Sequence, residues 1–141
     1  CASVAGKAKL PVEGYRIPLV FYAPALIKPA SYQHIVSQID IAPTVLGLLN
    51  FSYTTKFFGK DVLKMDAGDE RAFITTYQKL GFIKDNKLVI LGPKKDVNIF
   101  RFDRSDGKVE MIQPDNDYIN NAISYYQGTQ HIYDNRLNRL Y

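Results

Sequence analysis

Five short apolar runs, separated by turn-forming residues, constrain the fold of this chain more strongly than any other feature. Each run is rich in β-branched and aromatic residues, which favour strands. The segments between them carry turn residues, such as Asp85-Asn86 and Asp106-Gly107. The runs are residues 71–77, 80–83, 87–91, 98–102 and 108–112. This pattern predicts four or five antiparallel strands that follow one another in sequence as a meander.

A short amphipathic helix is predicted ahead of the meander, over residues 39–49. Ile41, Val45 and Leu48 lie at helical spacing and would give this helix one apolar face. Asp40 is the expected N-cap, with its carboxylate accepting hydrogen bonds from free backbone N–H groups of the first turn.

A second helix is predicted near the end of the chain. It is expected to open after Pro114-Asp115, because Tyr118, Ile119 and Ala122 then follow at helical spacing. Gly128 is expected to break it.

Residues 15–22 form a nearly continuous apolar run that ends before Pro24. A strand that is buried on both faces has this pattern, and Pro18 stands near its start, where a missing donor is tolerable. The strands and helices that should cover such a strand are not evident in this sequence. We therefore expect the chain, which begins with Cys1 rather than Met, to be a piece of a longer protein and to self-associate through this strand.

Composition excludes several classes of function. The 18 basic and 14 acidic residues leave a net charge of +4, which is spread along the chain instead of being clustered as in a nucleic-acid-binding face. The single cysteine provides neither an internal disulfide nor a CxxC motif. No run of 18 apolar residues, the length of a membrane-spanning helix, is present.

The residues that could carry chemistry are few. His34 and His131 are the only histidines, and neither has a partner at metal-ligand spacing. A packing or surface role is the prediction for both, and a structural capping role is the prediction for Asp40. Nucleophile-elbow, P-loop and dinucleotide motifs are absent from the sequence.

Four segments in a fixed order nevertheless resemble a known family. They are CASVAGKAKLP at residues 1–11, YRIPLVFYAP at 15–24, VSQIDIAPTVLGLL at 36–49 and FFGKDVL at 57–63. Together they resemble the C-terminal part of the sulfatase / alkaline-phosphatase superfamily, and within it the lipoteichoic-acid-synthase-like phosphoglycerol transferases.

The resemblance implies a fold of the α/β class. This chain would be the C-terminal fragment of a sulfatase-like α/β sandwich, followed by a small antiparallel sheet with a terminal helix. Residues 1–66 would be the end of the α/β domain, and residues 67–141 the subdomain made of the sheet and the terminal helix.

The resemblance also implies a reaction. In the transferase branch, a Thr attacks the phosphorus of a phospholipid head group at a divalent metal, usually manganese. The phosphoglycerol group then passes to a polymer or glycan. Such enzymes are anchored in the bacterial cell membrane, with the catalytic domain outside the cytoplasm. In the sulfatase branch, a formylglycine acts on a sulfate ester instead.

The family's catalytic and metal-binding residues would precede Cys1, so the resemblance implies no catalytic residue and no metal ligand within residues 1–141. The fragment alone is expected to be inactive. Lys7, in Gly6-Lys7, is the one candidate substrate-binding residue, placed to contact an anionic oxygen as a point charge. A non-catalytic binding or interaction module, formed by the meander and the terminal helix, stays open as an alternative.

Overall fold

Five antiparallel strands form one sheet in the computed structural model, which describes residues 10, 12–105 and 108–139. The strands are β1 (Ala72–Thr75), β2 (Leu80–Lys84), β3 (Lys87–Leu91), β4 (Val97–Phe102) and β5 (Val109–Met111). They lie side by side in chain order, each antiparallel to the one before. The predicted meander is confirmed.

The tight turn between β2 and β3 sets the register of the sheet. Asp85 and Asn86 both have a positive φ, 47° and 60°, as a two-residue hairpin turn requires. This turn pairs Lys84 with Lys87 and, further along, Phe82 with Val89. The second predicted turn, Asp106-Gly107, lies outside the described residues.

Both faces of the sheet are covered. Because side chains alternate along each strand, Phe82 and Val89 point to one face while Ile83 and Leu88 point to the other. The first face packs against the terminal helix α2 (Asn116–Asp134). The second face packs against residues from the N-terminal part of the chain: Leu10, Val12, Tyr15 and Ile35.

The helix α2 begins where the sequence predicts, with Asp115 as its N-cap. The Asp115 carboxylate accepts a hydrogen bond from the Tyr118 N–H at 3.2 Å. The predicted break at Gly128 is wrong, because the helix continues to Asp134. A glycine costs a helix only about 1 kcal/mol, and the packing of Ala122 and the preceding turns against the sheet holds the helix in place.

The first helix, α1 (Ile41–Leu48), is also present, but it buries different residues from those predicted. Pro43 and Thr44 are buried, whereas Ile41 is exposed and Val45 only partly covered. The expected apolar face is therefore wrong. The buried Thr44 hydroxyl is used in a hydrogen-bonded centre that is described below.

The predicted buried strand at residues 15–22 is wrong as well. Residues Val12–Tyr15 form a short 3-10 helix, and residues 16–22 belong to no strand. Val20 is 80% exposed and Tyr22 is 88% exposed. A strand needs a neighbour to complete its ladder, and within the described residues no other strand lies beside this segment.

The described residues thus form a mixed α/β fold with a five-stranded antiparallel sheet and a C-terminal helix. None of its helices combines the length and the apolarity needed to cross a bilayer, as far as the described residues go. The division of the chain after residue 66 stays a prediction.

Candidate functional site

A buried ion pair joins Asp40, at the start of α1, to Arg71, just before β1. Their side chains are 1% and 2% exposed. Two hydrogen bonds connect them, from Nη2 of Arg71 to Oδ1 at 2.7 Å and from Nη1 to Oδ2 at 3.0 Å. A bidentate pair of this kind fixes the orientation of both groups as well as their charge.

Backbone groups complete the coordination of the Asp40 carboxylate. The Ser37 N–H donates to Oδ2 at 2.8 Å, and the Lys60 N–H donates to Oδ1 at 2.8 Å. Asp40 stands at the N-cap position, but its side chain makes no hydrogen bond to a backbone N–H of α1. The predicted structural role is therefore realised by a different set of partners from the one expected.

Arg71 extends the same centre to the loop that follows α1. Its Nη2 also donates to the Phe58 carbonyl oxygen at 2.9 Å. Its Nε is buried and has no hydrogen-bond partner among the described residues. Arg71 thereby ties the sheet to the loop and to α1 at one point.

Gly59 and Thr44 allow the loop to approach α1 this closely. A Cβ on Gly59 would stand only 1.9 Å from the carbonyl oxygen of Ile39, so only glycine fits there. The Thr44 hydroxyl donates to the Asp40 carbonyl oxygen at 2.6 Å and accepts from the Val62 N–H at 3.0 Å. Residues from two of the sequence motifs, 36–49 and 57–63, therefore meet in one buried structural centre.

A second carboxylate, Glu70, collects a separate set of partners beside the first. Its side chain is 10% exposed. Oε1 lies 2.8 Å from Nδ1 of His34, and Oε2 accepts from Nη2 of Arg104 at 2.8 Å and from the Ile35 N–H at 3.2 Å. Arg104 is held in turn by Oδ1 of Asn86, which accepts from its Nε at 2.7 Å.

These hydrogen bonds determine the charge state of Glu70. Burial by itself raises the pKa of a carboxyl group, but the hydrogen bonds from His34, the Ile35 N–H and Arg104 outweigh burial. The pKa of Glu70 is therefore held below its ordinary value of 4.5. Glu70 is a charged anchor for His34 and for the turn that carries Arg104, rather than a proton donor.

The two carboxylates have little capacity left for chemistry. Asp40 accepts four hydrogen bonds and Glu70 is occupied on both oxygens. Among the described residues, no group of three or more His, Cys, Asp or Glu side chains is arranged to hold a metal ion. The described residues therefore do not by themselves fit the divalent metal that the resemblance implies.

An open apolar groove of about 340 Å³ lies between the loop after α1 and the end of α2. Its lining includes Ile39, Phe57 and Ile132. Lys56 also lines the groove, and its Nζ donates to the Leu137 carbonyl oxygen. Among the residues that the structure describes, no carboxylate or histidine lines this groove.

The structure separates the candidate residues from one another. Lys7 and Cys1 lie outside the described residues, and Lys7 stays a prediction. His131 is exposed on α2, where its Nδ1 lies 3.2 Å from Nδ2 of Asn135, whereas His34 is bound to Glu70. Glu70, Arg71 and Arg104 were not predicted from the sequence as residues of this site. In the sequence, the only signal for Glu70 and Arg71 was that these two charged residues stand directly before an apolar strand.

A solved crystal structure is similar to this chain over nearly its whole length. The chain is similar to a protein in the alkaline phosphatase superfamily from Vibrio parahaemolyticus, whose crystal structure it matches with a TM-score of 0.89 at 26% sequence identity. The chain has the fold of an alkaline phosphatase superfamily fragment. The match covers 99% of this chain and 34% of the solved one, so the chain spans about a third of the length of that protein. No protein-family model matches the sequence.

The match agrees with the resemblance at the level of the superfamily. It covers both the motif region and the sheet with its terminal helix, since nearly the whole chain aligns. The superfamily contains enzymes, phosphatases and sulfatases among them. The buried Asp40–Arg71 centre is then a structural element of a fragment of such a fold.

Proposed function

We propose that this chain is the C-terminal part of a metal-dependent phosphoglycerol transferase of the bacterial envelope. The enzyme would transfer a phosphoglycerol group from a phospholipid head group to a polymer or glycan. The observation that carries the proposal is the structural match of 99% of the chain to an alkaline phosphatase superfamily protein. The order of the four motifs between residues 1 and 63 supports the transferase branch within that superfamily.

In this proposal the described residues supply a scaffold. The Asp40–Arg71 centre fixes the loop at residues 57–61 against α1 and the sheet. The nucleophile, a Thr, and the ligands of the divalent metal, manganese, would belong to sequence that precedes Cys1. Lys7 would contribute one positive charge toward an anionic oxygen of the substrate. The catalytic domain would lie on the outer side of the cell membrane.

The decisive experiment uses the full-length protein that contains this chain. Purified protein with manganese would be given phosphatidylglycerol in one assay and an aryl sulfate ester in a second. Release of diacylglycerol from the lipid, abolished when the upstream Thr is changed to Ala, is the expected result. Hydrolysis of the sulfate ester by a Cys- or Ser-derived formylglycine would replace the transferase proposal with the sulfatase alternative.

A deletion of residues 67–141 from the full-length protein tests the remaining alternative, that the sheet and α2 are a binding module. The deletion removes Arg71, which is the buried ion-pair partner of Asp40 at the start of α1. We therefore expect the deletion to prevent folding. A folded and active deletion variant that has lost only polymer binding would support the binding module instead.

A further inference from the structure

The turn that follows α2 places an arginine where the backbone favours glycine. The Arg136 N–H donates to the Tyr133 carbonyl oxygen at 3.1 Å. The Leu137 N–H donates to the Ile132 carbonyl oxygen at 2.9 Å. These two hydrogen bonds form a Schellman motif, in which the residue after the C-cap is left-handed and most often glycine. Arg136 holds that position, with a φ of 56°. A side chain that is kept there at an energetic cost points to a use for that side chain.

Arg136 and Arg139 line a polar pocket of about 340 Å³ at this turn. The other lining residues are Tyr133, Asp134 and Asn138. The Asp134 carboxylate already accepts a hydrogen bond from Nε2 of Gln130 at 2.7 Å. Neither arginine forms an ion pair with a described carboxylate. The pocket therefore combines an excess of positive charge with guanidinium donors that no described carboxylate neutralises.

This polar pocket adjoins the apolar groove between the loop after α1 and the end of α2. Tyr133 and Asn138 line both cavities. The groove is mainly apolar, with Ile39, Phe57 and Ile132 among its lining residues, and Lys56 adds a third cation. An apolar groove that leads to cationic donors is complementary to a molecule with a hydrocarbon tail and an anionic head.

The outer face of α2 indicates that this side of the molecule faces water. Apart from Tyr133, the exposed side chains of α2 are all polar or charged, and they include Asn120, Gln127 and Gln130. A helix face that another part of a protein covers is typically apolar. Two arginines without counter-charges would also be costly to bury under a protein surface. The surroundings of the pocket therefore favour a ligand from outside the protein as its occupant.

We propose that the groove and the pocket together bind one phospholipid molecule, with its phosphate at Arg136 and Arg139 and an acyl chain along Phe57 and Ile132. Guanidinium groups present paired N–H donors that match the oxygens of a phosphate in a bidentate geometry. Transfer of the acyl chain from water into the groove supplies the remaining affinity. Binding at this site requires no catalytic group, so it is independent of the reaction proposed above.

Calorimetric titration of the 141-residue chain with decyl phosphate, below its micelle concentration, tests whether head and tail are both needed. Saturable binding is expected. Glycerol phosphate lacks the tail and decyl maltoside lacks the charge, so each is expected to bind about tenfold more weakly or worse. Decyl maltoside that binds as tightly as decyl phosphate would overturn the role of the arginines. Glycerol phosphate that binds as tightly would overturn the role of the groove.

Two glycine variants separate ligand binding from backbone stability. Arg136→Gly removes a guanidinium group but suits the left-handed backbone, so the melting temperature is expected to rise by about 3 °C while the affinity for decyl phosphate falls about tenfold. Lys94→Gly is the matched control, because Lys94 also has a positive φ, 57°, but lines neither cavity. Lys94→Gly is expected to leave the affinity within about twofold. Equal losses of affinity in the two variants would overturn the site, because general electrostatic attraction would then explain the binding.

The full-length protein that contains this chain shows whether the groove is open in the intact molecule. A decyl phosphate with a photoreactive diazirine on its tail is expected to label residues 56–59 or 132–133, as mass spectrometry of the digested protein can establish. Excess unlabelled decyl phosphate is expected to suppress this labelling. Absence of the label from the full-length protein would overturn the proposal, whatever the 141-residue chain binds, because the rest of the protein would then cover the groove.

Discussion

At the residue scale, Asp40 matters most for the buried centre, because its carboxylate is the charge that the buried Arg71 contacts directly among the described residues. In a simple N-cap, Asn replaces Asp almost without cost. At this position Asn would leave a buried guanidinium without a compensating charge, which typically costs about 3–5 kcal/mol. We therefore expect Asp40→Asn to lower the free energy of unfolding by about that amount in urea denaturation.

Asp61 offers a matched control for that prediction. It caps the short helix Val62–Lys64, with Oδ1 accepting from the Leu63 N–H at 3.1 Å. Asp61→Asn keeps this acceptor and is expected to cost only about 0.5 kcal/mol. If Asp40→Asn and Asp61→Asn lower the free energy of unfolding by similar amounts, the charge of Asp40 contributes nothing beyond hydrogen bonding.

Glu70 gives the fold a dependence on pH. Since the pKa of Glu70 is lower in the folded chain than its ordinary value of 4.5, the charged form stabilises the fold above pH 4.5. This contribution is lost as the pH falls through the lowered pKa. Glu70→Gln cannot titrate, so the stability difference between wild type and variant should shrink steadily below pH 4.5. Thermal unfolding of both proteins from pH 7 to pH 3 measures this, and a constant difference would contradict it.

At the scale of elements, two glycines have opposite roles. Gly128 lies inside α2, where a Cβ would meet no described atom within 4 Å beyond the adjacent residues and the nearby backbone of the helix itself, whereas a Cβ on Gly59 would meet the Ile39 backbone at 1.9 Å. Gly128→Ala should stabilise the protein by about 1 kcal/mol, because alanine loses less backbone entropy in a helix. Gly59→Ala should destabilise it by about 1–3 kcal/mol through the forced displacement of the loop. Chemical denaturation measures the change in the free energy of unfolding for each variant. Changes of the same sign in the two variants would refute this assignment.

The strands and α2 depend on one another through aromatic contacts. Phe73 and Phe82 on the sheet pack against Tyr125, with ring centroids 5.1 and 5.5 Å away. The Tyr126 hydroxyl donates to the Gly81 carbonyl oxygen at 3.0 Å, and burial raises the pKa of Tyr126 to about 12. These contacts explain why α2 persists through Gly128.

At the scale of the whole molecule, the 141-residue chain should have no phosphodiesterase or sulfatase activity when manganese is added. The Asp40 carboxylate accepts four hydrogen bonds and both Glu70 carboxylate oxygens have partners, and the described residues contain no metal-ligand cluster. A chromogenic phosphodiester and an aryl sulfate are suitable substrates. Metal-dependent turnover that a substitution within residues 1–141 abolishes would contradict this prediction.

Local sequence patterns determined the elements whose stabilising contacts lie close in the chain. The meander needs pairing only between neighbouring strands, and the turn at Asp85-Asn86 is specified by residues that accept a positive φ. The start of α2 follows from Asp115, whose carboxylate accepts a hydrogen bond from the Tyr118 N–H, and α1 begins directly after Asp40 although the Asp40 side chain does not cap it. The position of both helices was therefore predictable.

Tertiary structure alone decided which residues meet over long distances. The partners Asp40 and Arg71 are 31 residues apart, and Glu70 is 36 residues from His34. No spacing rule links such pairs, so a buried ion-pair centre looked like a helix cap. Residues 17–23 show the converse: their apolar pattern is typical of a buried strand, but a strand exists only where a second backbone completes its hydrogen bonds, and the described chain supplies none.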